Sequence, residues 1–552
     1  MFSKFHKIFD SFTKLERQVF QGASIVFAFS IFLNGVNLFY QTTVLTPISG
    51  GTYTEGVVGQ PIAINPLIAG SNDIDRDLIE VVFSDLTELA DSAKVNDDHR
   101  VWTVTLKNGL AWSDGEPITA DDVVFTLETM QDPDAHSPSF AAWHGVIAER
   151  MSEREVRFTL KTPYAFFLDN LKEFKVVPRH IFGTIPTANL RLSDYNFEPI
   201  GNGPYVFSSY TKRKDGFITD YTFTANPHFA GTETLIKELK FKFFADYQEA
   251  IEAFNHRAID GLGGISVYDL PDIKIGHQTV EFNIPRYYAV FLNPGTSLPL
   301  REKAVRVAFD AATDREKLRA VALKGYGQPI GGPLYPGIEG YDAAIGTGAR
   351  FSLETAERTL EDAGWKRGDD GVRRKRVEKD DFRLAFDMIV PDIDFLIEAT
   401  KILEEDWKTI GVAVNRIVRS PTEITNDVIK TRNYQMLVFG NILKANPDVF
   451  SFWHSSEKFR PGLNLSFYEN KKADALLESI RKDFDTVSRT DDVALLQEII
   501  HADKPAIFLF SPNYLYLTPK NLGGIPRELL ESPANRFAHI ADWYLKTARS
   551  FK

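Results

Sequence analysis

The sequence predicts an α/β protein of more than one domain behind an apolar N-terminal span. Three observations lead there. Period-two strand patterns alternate irregularly with helical patterns of period 3.6 along most of the chain. At 552 residues the chain exceeds one ordinary core, so two or three domains are expected. A content of 43% hydrophobic and 25% charged residues fits a soluble globular body.

The elements follow in order. No charged side chain occurs between Arg17 and Glu55, and residues 19–40 are mostly apolar, roughly the 20 residues that a helix needs to cross a bilayer. Lys4, Lys7, Lys14 and Arg17 precede this stretch, so the positive-inside rule keeps residues 1–18 in the cytoplasm and exports the remainder. A cleaved signal peptide is the competing reading, but Tyr40-Gln41-Thr42-Thr43 offers no small-x-small site. The expectation is an uncleaved anchor, with residues 41–50 as a short flexible tether.

Residues 101–107 alternate as a half-buried strand does, Trp112-Ser113-Asp114-Gly115 supplies a tight turn, and Thr119 starts a helix with Asp122 as an acidic capping-box partner. Val123, Val124 and Leu127 give that helix its apolar face. Residues 156–160 and 217–225 read as strands. Residues 246–258 read as a helix stopped by Gly261, and residues 287–292 as a buried strand. Helices are expected over residues 301–319, over 352–363 with Gly364 at the C-cap, and over 394–410 ending at Gly411. The charged stretch 368–381 reads as a solvated hairpin or loop. Helices at 471–484 and 493–501 precede a returning strand at 508–517.

Composition excludes several classes of function. A net charge of -12 argues against a nucleic-acid partner, which needs a basic excess. With no cysteine there is no disulfide, thiolate metal site, iron–sulfur cluster or cysteine nucleophile. Ser455-Ser456-Glu457-Lys458 and Ser11-Phe12-Thr13-Lys14 both satisfy Ser-x-x-Lys, but no Lys-Thr-Gly partner follows. Gly261-Leu262-Gly263-Gly264 is too short for a dinucleotide fingerprint. The scattered histidines form no zinc-ligand spacing, and His454 reads as a structural residue rather than a nickel ligand. No cofactor is expected.

The wording of several segments carries more than their physics. Trp112, Ser113, Asp114, Gly115, Pro117, Thr119, Ala120, Asp122 and Val123 match "WSDG-x-P-x-TA-x-DV". Gly59-Gln60-Pro61-Ile62-Ala63-Ile64-Asn65-Pro66, Pro199-Ile200-Gly201-Asn202-Gly203-Pro204-Tyr205, residues 305–315, Asp362-Ala363-Gly364-Trp365 and residues 447–456 match further motifs in the same order. From about Tyr53 onward the chain resembles the extracellular solute-binding proteins of ABC importers, in the class that binds dipeptides, oligopeptides and nickel. The usual lipid anchor of that family needs a cysteine, which this chain lacks.

That resemblance implies a two-lobed periplasmic-binding-protein-like fold with a small domain inserted in the first lobe, preceded here by one transmembrane helix. Carried onto this chain, the first lobe takes residues 51–74, 197–283 and 508–552, the inserted domain 75–196 and the second lobe 284–507. Strands near Tyr287 and Phe508 would be the crossovers. The implied function is capture of a peptide or related solute outside the membrane by lobe closure, and delivery to ABC permease subunits by a membrane-anchored monomer. The ligand backbone would add as a strand between Gly59-Gln60-Pro61 and Val438-Phe439-Gly440-Asn441, with Tyr434 and Trp453 near the cavity. Where relatives place an aspartate for a peptide's α-ammonium, Leu443 or Lys444 stands here. Asp448 is the nearest substitute, and a free α-amino group is not expected to be required. A membrane-anchored serine hydrolase or transpeptidase using Ser455 is the rival from another class, and a sensory or scaffold protein that retains the binding fold is a third reading.

Overall fold

The computed structural model describes residues 11–70, 72–527 and 529–551. Lys4 and Lys7, part of the expected basic flank, lie outside them. A helix of 29 residues, Lys14–Thr42, contains the expected span and buries none of its side chains. A capping box between Thr13 and Glu16 starts it. The next residues are not a loose tether. Strand Thr43–Ile48 pairs antiparallel with Lys546–Phe551 in a two-stranded ribbon. Arg549 lies 4.1 Å over the Tyr40 ring and donates to the Thr43 hydroxyl, and Phe39 meets Phe551 edge-on. The partner strand is too remote in sequence for local patterning to announce it.

Three larger sheets build the body. A seven-stranded sheet has the spatial order Gln278–Phe282, Tyr514–Thr518, Gly261–Gly263, Thr52–Val58, Glu238–Phe244, Ile218–Ala225 and Tyr205–Lys212. A six-stranded sheet runs Gly327–Pro329, Ala506–Pro512, Arg286–Leu292, Met436–Ile442, Ala385–Pro391 and Ala413–Arg419. A four-stranded sheet, from Ala90–Val95 to Glu155–Thr159, is inserted in sequence between the strands Thr52–Val58 and Tyr205–Lys212 of the seven-stranded sheet. The expected single strand over 508–517 is two strands in different sheets, with Asn513 between them. The 507/508 division therefore falls inside a strand of the six-stranded sheet. The 74/75 division likewise falls inside helix Asp73–Val82, which packs against the turn Pro533–Phe537.

The family-like motifs have local work to do. In strand Val101–Leu106, Trp102, Val104 and Leu106 turn inward, and Trp112 is buried beneath the tight turn. Thr119 and Asp122 form the anticipated capping box, and Asp122 also accepts from the Arg179 amide at 2.9 Å. The Ser113 amide donates to the Gly201 carbonyl at 2.8 Å, tying that turn to the second motif. Asn202 accepts from the Ser84 amide, and a Cβ at Gly201 would come 2.2 Å from the Val82 carbonyl oxygen. Glycine is required there because two backbones touch.

Other expectations need amendment. Gly261 does not stop a helix in a turn. It lies in a short central strand, where a Cβ would sit 2.1 Å from the Tyr53 hydroxyl. The helix expected over 301–319 is two, Lys303–Ala311 and Arg315–Val321, because the Asp314 carboxylate caps the second through the Lys317 amide. The charged stretch 368–381 does form the expected hairpin, Arg373–Val377 against Asp380–Arg383, and the amendment is confined to Arg373, which is buried and donates to the Ile410 and Trp365 carbonyls.

Candidate functional site

Two crossings join the seven-stranded and six-stranded sheets: residues 283–285, ending in Pro285, and Asn513, preceded by Pro512. Beside them lies a cavity of about 750 Å³, within the size range of small-molecule sites. The first sheet's side contributes Val57, Val58, the segment from Gly263 to Val267, Asp269, Tyr514 and Arg536. The second contributes Arg286, Tyr288 and the segment from Asp392 to Phe395. That last segment leaves the C-terminal end of strand Ala385–Pro391, where open α/β sheets bind their ligands.

The second-sheet wall is aromatic. Tyr288 meets Phe395 edge-on at 5.2 Å, and Phe510 packs 6.1 Å from each ring. Gly440 makes this possible, because a Cβ there would lie 2.8 Å from Cε1 of Tyr288. The opposite wall rests on a buried ionic group. Both terminal nitrogens of the Arg536 guanidinium donate to Asp77, at 2.8 and 2.6 Å, and one also donates to Glu55 at 3.1 Å. The Tyr516 hydroxyl donates to Glu55 and shares a 2.6 Å contact with the Tyr53 hydroxyl. Burial outweighs the attraction of Arg536 and pushes the Glu55 carboxyl up to about 7. Asp77 is raised by the same cause.

The remaining charges of the cavity are unbalanced. Among the described residues, Asp269, Asp392 and Asp394 have no cation within ion-pair distance, whereas Asp73 is paired with exposed Arg76. Burial raises the Asp269 carboxyl, and the negative charges of Asp272 and Asp394 raise it further. Arg286 donates to the Pro512 carbonyl at 3.4 Å and pairs with no carboxylate among the described residues.

None of the eight residues singled out from sequence lines this cavity. Gly59 donates its amide to Phe244, and its carbonyl accepts from the Gln60 side chain. The Gln60 amide group also bonds both the amide and the carbonyl of Ile218. Most of this expected edge is thus already used. The other edge is open: Met436–Ile442 pairs fully with Arg286–Leu292, but with Ala385–Pro391 only at Met436 and Leu437. Phe439, Gly440 and Asn441 follow, with Asn441 donating to the Tyr287 hydroxyl at 2.9 Å. Trp453, 0% exposed, and Tyr434, 4% exposed, are core residues, and the Tyr434 hydroxyl donates to Leu465.

Asp448 and Lys444 lie at a different contact. The Tyr164 hydroxyl donates to Asp448 at 2.8 Å, and Arg481 pairs with Asp448 at 3.2 Å. Lys444 pairs with Glu173 and Asn446 donates to Asp169. Phe166, only 5% exposed, sits among core residues of the six-stranded sheet. These bonds fasten segment 164–173 to the second sheet's side and leave neither Asp448 nor Lys444 facing the cavity. Ser455 donates to Asp474 and Lys458 pairs with Glu469, so the Ser-x-x-Lys residues serve different partners. His454 stacks on Phe450 and its Nδ1 accepts from the Ser456 amide.

Sequence reasoning missed Arg536, Asp77, Arg286, Tyr288, Asp269 and Asp394. The turn Pro391-Asp392-Ile393-Asp394 between a strand and the longest amphipathic helix was one available signal. Arg536 and Asp77, 459 residues apart, had none.

Comparisons with known proteins agree with this architecture. Residues 87–460 match the family model "Bacterial extracellular solute-binding proteins, family 5 Middle". Protein XP55 of Streptomyces lividans is 28% identical over 488 residues, 86% of each chain. Oligopeptide-binding protein AppA of Bacillus subtilis is 26% identical over 525 residues, 90% of this chain and 92% of its own. The substrate-binding protein CtaP of Listeria monocytogenes superposes with a TM-score of 0.77 at 25% identity, covering 90% of this chain and 99% of that one.

Proposed function

This chain belongs to the bacterial extracellular solute-binding proteins, family 5, and we propose that it captures peptides or a related solute outside the membrane by lobe closure and delivers them to the permease of an ABC transporter. The observation that carries this reading is the cavity beside two strand crossings, walled by both large sheets. Such a site closes around its ligand when binding energy favours the closed arrangement. The relative AppA has been solved with a nonapeptide bound, which favours a peptide here.

In this proposal the first lobe comprises the seven-stranded sheet with helix Asp73–Val82, the second lobe comprises the six-stranded sheet, and the inserted domain carries the four-stranded one. The open edge at Phe439, Gly440 and Asn441 offers backbone groups to an extended ligand, while the cavity receives its side chains. Binding and release involve no covalent step, and the protein acts as a monomer held to the membrane by Lys14–Thr42. Lys444 and Asp448 are occupied by Glu173, Tyr164 and Arg481, so a ligand's α-ammonium has no dedicated partner there.

Mass spectrometry of small molecules copurifying with the full-length protein, followed by solution scattering with the molecule identified, tests the reading. A peptide that reduces the radius of gyration is the expected result. An unchanged scattering curve at saturation would overturn it.

A further inference from the structure

Resting on the reading of this cavity as the ligand site, we propose that it selects peptides bearing lysine or arginine side chains, held by Asp269 from one lobe and Asp392 and Asp394 from the other. Among the described residues, three carboxylates without counter-ions line one cavity from opposite walls. Arg286 is the cavity's only cation outside the Arg536–Asp77–Glu55 group, among the described residues. A neutral or acidic ligand would leave the carboxylates facing one another as the lobes approach. Asp392 and Asp394 are exposed in the present arrangement, and closure would bring the like charges nearer one another and strip their water, which strengthens the repulsion. A ligand ammonium or guanidinium between them removes that penalty, and its donors suit carboxylate acceptors.

The imbalance has structural explanations for only part of the set. Asp394 occupies the first turn of helix Asp394–Thr409, where an acid is favoured by the helix dipole. Asp392 and Asp269 cap no helix through their side chains. Among the described residues no three potential metal ligands gather at one point, so the arrangement suits a cation spread along an organic ligand better than a bare divalent ion. Arg286, with its Nε buried and unpartnered, adds a place for a ligand carbonyl or carboxylate. The cation belongs to a side chain rather than the N-terminus, because the family position for the α-ammonium is filled by buried Leu443 and by Lys444 already paired with Glu173.

The test is calorimetry on the full-length protein in detergent, with N-acetylated nonapeptides that carry lysine, norleucine or glutamate at the same positions. Lysine peptides are expected to bind at least about tenfold tighter than norleucine ones, the scale of one charge-assisted hydrogen bond. The Asp269→Asn, Asp392→Asn, Asp394→Asn triple variant should lose that preference while still binding norleucine peptides. Should the triple variant melt early, Asp392→Asn alone, at an exposed residue, should reduce the preference. Equal binding of lysine and norleucine peptides, or a preference unchanged in these variants, overturns the charge selection and leaves peptide capture standing. Failure to bind any of the peptides overturns both.

Discussion

Glu55 offers the sharpest test of how the cavity floor is held. It is completely buried and receives hydrogen bonds from Tyr516 at 2.8 Å and Arg536 at 3.1 Å, and Arg536 is shared with Asp77. Removal from water raises its carboxyl from the ordinary 4.5 to about 7, with Arg536 offsetting only part of that rise. A group raised in the folded state contributes stability that is fully present below its unfolded pKa and is lost as pH climbs through the folded one. The window here runs from 4.5 to about 7, and at about 1.36 kcal/mol per pH unit the loss is of the order of 3 kcal/mol. Glu55→Gln keeps the shape and an acceptor oxygen but cannot ionise. The measurement is urea unfolding of wild type and variant, full-length in detergent, at about pH 4.5 and about pH 8. The variant should gain roughly 3 kcal/mol relative to wild type between those conditions. A difference independent of pH would mean that Arg536 fully compensates the buried charge and that burial does not dominate this site.

Three further outcomes follow from the geometry. Phe166→Ala removes a ring buried among second-lobe residues and should cost about 3–5 kcal/mol of that contact, seen as a larger radius of gyration without ligand; an unaltered scattering curve would show that the contact is incidental. Gly261→Ala places a Cβ 2.1 Å from the Tyr53 hydroxyl and 2.2 Å from a Glu55 oxygen, so the melting midpoint should fall by an amount corresponding to about 1–3 kcal/mol; an unchanged melt would contradict the close packing described. Membrane fractionation with N-terminal sequencing should find the intact chain in the membrane. A soluble form beginning near residue 42 or residue 50 would show that the helix is a cleaved signal.

What was legible in the sequence was local or repeated. The strand–turn–helix from Val101 to Gln131, the Thr119–Asp122 capping box and the helix Asp394–Thr409 all follow from short-range patterning, and the structure has them. The ordered motifs pointed to the family, and the match over residues 87–460 shows it. The break at Asn513 was hidden because residues 508–517 are apolar and strand-like on both sides of it. The cavity was hidden for a related reason. Its residues stand on loops and strand ends that meet through the exchange of strands between sheets, and apart from the turn at residues 392–394 they carry no local signal. Trp453 and Tyr434 drew attention because large aromatic side chains often line pockets, but the same property suits a core, and the structure places them there.

The ribbon between Thr43–Ile48 and Lys546–Phe551 has a consequence for assembly. Its two strands are about 500 residues apart, as in the Thr46 to Ala548 hydrogen bond with a separation of 502. Closing so long a loop directly would be entropically expensive, but the folded body brings the ends together, since Leu235 bonds both Gly50 and Ala541. The ribbon therefore joins ends that the folded body already holds near one another, and its full register needs residue 551. It puts paired strands, rather than a free linker, between helix Lys14–Thr42 and the body. The direction in which the helix leaves the body is then tied to the register that opposes Thr43 to Phe551 and Ile48 to Lys546. A slip of one residue would turn each ribbon side chain to the other face and change the direction in which the helix leaves the body.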